Sequence, residues 1–128
     1  MDTVRLQERR KHPRFRMNPD VLSINQDILA EVVDISNCGV SCRCLASSDK
    51  PMAAITEIEL LNCKIGTSVD CLPCRMVRSS KKTISEAFTS TMIMQFSVEF
   101  QNLTGPQRNQ LDQFIKDNSL VETLPSLQ

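Results

Sequence analysis

Apolar residues recur along the chain with two periods, and each period predicts a kind of element. The clearest stretch has Met92, Met94, Phe96, Val98 and Phe100 at every second position. That alternation is the signature of a strand with one face in a core. Val40, Cys42 and Cys44 alternate in the same way within a strand over 40–45. Val21-Leu22-Ser23-Ile24 and the Ile- and Val-rich run from Ile28 to Ile35 give two more strands, with Asn25-Gln26-Asp27 as the turn between them. Residues 57–62 and 68–79 form a further hairpin about Lys64-Ile65-Gly66-Thr67, and Pro73 in its longer arm marks an edge or a bulge.

Near the end the period changes to that of a helix. Thr104 and Gln107 have the spacing of a capping box, Pro106 suits a first turn, and Leu111, Phe114 and Ile115 supply one apolar stripe. Residues 46–54 and 79–90 read as loops, and 118–128 as a tail that frays. Six strands, short turns and one terminal helix predict a mainly β chain: a six-stranded antiparallel barrel with the helix covering an opening. The expected division is a flexible basic arm over 1–16, a barrel with its helix over 17–117, and a flexible tail over 118–128.

Composition adds constraints. A chain of 128 residues is one domain with a modest core, and five Phe without Trp or Tyr leave that core to aliphatic, Met and Cys side chains. No apolar run approaches the roughly 20 residues of a membrane span, and the N-terminus lacks the apolar segment of a secretory signal, so the expected location is cytoplasmic. There disulfides are disfavoured. Cys71 and Cys74 have a zinc-knuckle spacing, but a tetrahedral site needs two further well-placed ligands. The six cysteines are better read as small buried hydrophobes in strands.

The net charge of zero hides an asymmetry: residues 1–16 carry +4 and the remainder −4. Five of the fifteen Lys and Arg residues fall between Arg9 and Arg16. Such a run is often only solvated, yet guanidinium forks also pair bidentately with planar anions and stack on them. A basic arm on an acidic body suits a local anion site better than a broad nucleic-acid footprint. Phe15 is the arm's one aromatic, which is a poor stacking platform for single strands. Enzyme chemistry has little to work with: one His, no nucleophile-base ordering around it, and only three Gly, none of them in a phosphate loop.

Two motifs remain, Arg10-x-x-x-Arg14 and Asp34-x-Ser36-x-x-Gly39. The second has turn chemistry of its own, since Asp, Ser and Asn bond nearby backbone and Gly39 is free to take a positive φ. In this order, with the second motif on a strand-turn-strand unit, they resemble the PilZ domain, a bacterial receptor for cyclic di-GMP. The resemblance continues through Arg75-Met76-Val77-Arg78, Phe96-Ser97-Val98-Glu99-Phe100 and the terminal helix, and spans roughly residues 8–117. Ser97 departs from a Gly common in the family.

The resemblance implies a non-enzymatic receptor with no metal or cofactor, which binds cyclic di-GMP and signals to a separate effector protein. Arg10 and Arg14 are expected to grip phosphate and the O6/N7 edge of guanine. Asp34 would accept from guanine N–H groups, Ser36 would bond ligand or hold the turn, and Gly39 would admit close backbone approach. Arg9, just before the first motif, is associated in the family with an intercalated pair of ligands. The competing reading is a PilZ-shaped interaction module that binds no nucleotide. A homodimer is compatible with either.

Overall fold

The computed structural model describes residues 13–25, 28–47, 54–83 and 91–120. Seven strands and one helix follow in order: β1 (Phe15–Arg16), β2 (Val21–Asn25), β3 (Ile28–Ile35), β4 (Gly39–Ser47), β5 (Glu57–Asn62), β6 (Thr67–Thr83), β7 (Thr91–Phe100) and α1 (Gly105–Asn118). All pairings are antiparallel in the order β1-β3-β2-β5-β6-β7-β4, and a further β3–β4 pairing closes β2 to β7 into a six-stranded barrel. The expected barrel and helix are therefore present. The two-residue β1 is an addition: it pairs with β3 at Phe15↔Ile35 and Arg16↔Asp34, so the end of the basic arm is itself part of the sheet.

The core follows the alternation. Met94, Phe96, Val98 and Phe100 of β7 face Val40 and Cys42 of β4, and Val21, Leu60 and Leu72 are fully buried beside them. One end is covered by α1, whose Leu111, Phe114 and Ile115 join the same cluster. Thr104 Oγ1 accepts from Gln107 N–H and Gln107 Oε1 accepts from Thr104 N–H, a complete capping box. At the other terminus Asn118 is buried: its Oδ1 accepts from Asn62 Nδ2 at 2.8 Å and its Nδ2 donates to Phe114 O at 2.9 Å. After α1, Ser119 is bridged to Met17 and Leu120 N–H donates to Arg16 O; the rest of the expected tail, 121–128, lies outside the described residues.

Three points sharpen or correct the sequence expectation. Residues 79–83, expected as loop, extend β6, and Thr83 still pairs with Met92. Their Ser and Lys side chains stand on strand beyond the barrel wall, where neither face demands apolar residues. Pro73 sits beside a bulge, Asp70-Cys71 opposite Glu59, but β6 is no edge, having β5 on one side and β7 on the other. Cys71 adopts a left-handed φ of 54° there, and Gly66 takes φ 78° in the β5–β6 turn. Among the cysteines, Cys42 and Cys74 are buried as expected, whereas Cys38, Cys63 and Cys71 are exposed because they fall in turns and at the bulge.

Candidate functional site

β3 and its turn into β4 position most of the candidate residues, and a single extra residue decides where one of them points. Along β3, Ala30 and Val32 are buried, so strict alternation would send Asp34 inward as well. The register against β4 shifts between Val32 and Asp34 (Val32↔Cys42, then Asp34↔Ser41), which makes Val33 a bulge. Past it the alternation is inverted: Ile35 is fully buried and Asp34 turns to the outer face. A bulge that re-aims a polar side chain at a sheet surface is a common device beside binding sites. Arg16 lies directly opposite Asp34 across the β1–β3 pair. Arg14, two residues earlier on the same face, places Nη1 3.8 Å from Asp34 Oδ1.

That distance is an ion contact, longer than the 2.7–2.9 Å of a charge-assisted hydrogen bond. Both side chains retain solvent, at 47% exposure for Arg14 and 26% for Asp34, so the pair contributes about 0–1 kcal/mol. A ligand can separate them at little cost.

Ser36 Oγ accepts from Cys38 N–H at 3.1 Å, and Ser36 N–H donates to Gly39 O at 2.9 Å. Ser36 thus ties the turn together through its own hydroxyl and backbone. Gly39 is required for a reason other than a positive φ, which it does not have. A Cβ built there would stand 2.3 Å from Val98 O, so only glycine lets β4 lie this close to β7.

Arg14, Asp34, Ser36 and Gly39 line one shallow depression of about 160 Å³ on the barrel wall. Arg9 and Arg10 lie outside the described residues, as does His12.

The floor and far rim contain residues that motif spacing did not reveal. Ser41 and Ser97 hydroxyls are 2.9 Å apart across β4 and β7. Val77 is the extra residue of a second bulge, between Met76↔Val98 and Arg78↔Ser97, and shows an exposed apolar surface to the depression. Glu99 closes the rim and is held by Arg75 through two bonds to one oxygen, at 3.0 and 3.2 Å. These residues meet only through the register of β4, β6 and β7, for which the sequence carries no local signal. Arg75, Val77, Ser97 and Glu99 were visible only as parts of the segments that carry the family resemblance, without a role in the site.

The depression offers the Arg14 guanidinium, two carboxylates, hydroxyls and one apolar surface, and Arg16 stands beside it on β1, opposite Asp34. It can bind a ligand that is anionic in one part and has flat, hydrogen-bonding rings in another. Among the described residues, no group of three His, Cys, Asp or Glu side chains is placed to hold a metal ion. Nor is any helix among them long and apolar enough to cross a membrane.

Comparison with known proteins bears on the fold and the family. The PilZ domain model matches residues 8–117. No curated protein matches the chain. Among solved structures, the PilZ domain of YcgR from Escherichia coli with c-di-GMP superposes with a TM-score of 0.60 at 16% identity, covering 85% of this chain and 90% of that one. MrkH of K. pneumonia in complex with c-di-GMP gives a TM-score of 0.61 at 16% identity, over 84% of this chain and 51% of MrkH. Apo MrkH gives 0.61 at 16% identity, over 87% and 51%. The chain thus spans about half the length of MrkH. With a family match over residues 8–117, most of its length, the chain belongs to the PilZ domain family.

Proposed function

We propose that the chain is a cyclic di-GMP receptor that passes the signal to a separate protein. The observation that carries this reading is the meeting of the two motifs. Arg14 and Asp34, far apart in sequence, lie 3.8 Å apart beside Ser36 and Gly39 in one depression. The solved complexes of YcgR and MrkH with c-di-GMP share the fold.

On binding, the Arg14–Asp34 contact opens. The Arg14 guanidinium turns to phosphate and the O6/N7 edge of a guanine, while the Asp34 carboxylate accepts from N1–H and N2–H. Ser36 and Gly39 keep the turn and the β4–β7 contact in the shape that presents both. Val77 gives a base an apolar surface to rest on. Arg10, the other Arg of its motif, supplies a second phosphate contact, and Arg9 favours a stacked pair of ligand molecules.

Arg16 and Phe15 are already paired with β3, so neutralisation by the ligand acts on the like charges of Arg9, Arg10 and Lys11. It draws the segment that carries them onto the barrel, and the surface so formed is what an effector protein reads.

Isothermal titration calorimetry tests the proposal. Cyclic di-GMP should bind the wild type, saturating at two molecules per chain, and an oligonucleotide of similar charge should not. Arg14→Ala should weaken binding by about 2–3 kcal/mol, roughly 30- to 150-fold, as expected for lost charge-assisted bonds. Saturation at one molecule removes the role given to Arg9. Unchanged affinity in Arg14→Ala removes the clamp. No binding by the wild type leaves a PilZ-shaped interaction module.

A further inference from the structure

β6 is longer than the neighbour that covers it. β5 pairs with it from Thr67 to Pro73, and Cys74 N–H still donates to Thr56 O at 2.9 Å. From Arg75 to Thr83, β7 is its one strand partner among the described residues. The strand that is interior at Pro73 is therefore an edge over its second half. Backbone polar groups alternate between the two sides of a strand. Every second N–H and C=O in this stretch thus points away from the sheet, where an added strand would bond them. Sheets normally keep such edges short or cover them.

The register against β7 sorts the side chains. Beyond the Val77 bulge, Ser79 and Lys81 stand opposite Phe96 and Met94 and share their core-facing side. Arg78, Ser80 and Lys82 take the outer face and are exposed. Arg75 is bonded to Glu99, whereas neither Arg78 nor Lys82 has an ion pair among the described residues. Cations on an edge guard it against pairing with its own copies. In an antiparallel pair of two chains centred on Ser80, Arg78 of one copy would meet Lys82 of the other. Like charges directly opposite are destabilising, so a second copy is a poor occupant. A strand with two carboxylates spaced to meet Arg78 and Lys82 turns the same charges into attraction.

We propose that the edge of β6 from Arg75 to Thr83 docks an extended acidic segment of another protein as an added strand. The backbone bonds supply the affinity, and Arg78 and Lys82 select Asp or Glu at two positions four apart. At its near end the edge reaches the candidate ligand site, since Val77 also lines the depression that holds Asp34 and Ser97. The docking does not rest on the receptor reading above. It gives the chain a surface for a protein partner whether or not a nucleotide occupies the depression.

Two measurements on the full chain test the docking. The probe is a synthetic peptide of Thr and Val with two Glu four positions apart, and its control carries Lys in their place. By NMR hydrogen exchange, the outward amides between Arg75 and Thr83 should exchange freely in the chain alone. They should slow by about tenfold or more when the acidic peptide is added. Protection before the peptide is added means that the edge is already covered, and overturns the proposal. Binding that leaves these amides unprotected overturns it too. In calorimetry at low salt, the acidic peptide should bind and the Lys peptide should not. Arg78→Glu with Lys82→Glu should reverse that preference, and binding of the Lys peptide would show that this variant is folded. The milder Lys82→Gln should weaken the acidic peptide about two- to fivefold, the scale of one exposed ion pair. No binding to the wild type, equal binding of the two peptides, or full affinity in Lys82→Gln overturns the proposal.

Discussion

Asp34 shows how much one residue of backbone can matter to a binding surface. It was legible as part of a motif, but not as an outward-facing carboxylate, because Val33, one of two adjacent valines inside a strand, gives no local sign of a bulge. Without that bulge Asp34 would join Ala30 and Val32 on the core face, where an unpaired carboxylate is not tolerated. Gly39 was legible too, for a reason that proved different: the constraint is Val98 O across the sheet and not the turn. Gly39→Ala should therefore cost about 3 kcal/mol, at the upper end for overpacking because the obstructing atom is backbone and cannot rotate aside. Urea denaturation of the two proteins checks this. A change below about 0.5 kcal/mol would mean that β4 and β7 separate easily and that Gly39 is not what keeps the two strands in close contact.

At the scale of elements, what could be read locally was read, and what depends on partners was not. The alternation in β7 and the Thr104/Gln107 box announce their elements without help from the rest of the chain. The polar end of β6 does not, since Ser79 to Thr83 are held in a strand by β7 and not by burial of their own. Nor does the seating of α1, which depends on an amide pair between distant residues. Asn118 holds Asn62 Nδ2, while Asn62 Oδ1 accepts from the N–H groups of Lys64 and Ile65 in the β5–β6 turn. Sequence patterns count Asn as a surface residue, yet both of these are buried. Asn118→Ala leaves the Asn62 amide N–H without its partner inside the fold and should destabilise by about 2–3 kcal/mol. Thermal denaturation should show the loss. Hydrogen exchange should place it first at α1 and the amides of Lys64 and Ile65, and a uniform change across the barrel would instead assign Asn118 a general packing role.

The whole molecule responds to pH through thiols that the barrel encloses. Cys42 is 2% exposed, and burial pushes its pKa from the usual 9.0 up to about 12, against a smaller lowering by the Ser23 hydroxyl 3.2 Å away. Burial likewise raises Cys74 to about 11, with a further push from the Glu57 charge. In the unfolded chain both thiols ionise near pH 9, whereas the folded barrel keeps their protons until pH 11 or 12. Between those limits the native state holds protons that the unfolded state has released, so rising pH favours unfolding. The stabilisation is complete below pH 9 and is lost as pH climbs toward 11 and then 12, by roughly 1.4 kcal/mol per pH unit for each thiol. Urea midpoints of the reduced protein should accordingly fall with increasing slope above pH 9. Cys42→Ala will be less stable at neutral pH because it opens a small cavity, but its decline above pH 9 should be about half as steep. An equal slope in the two proteins would show that the alkaline loss comes from other groups.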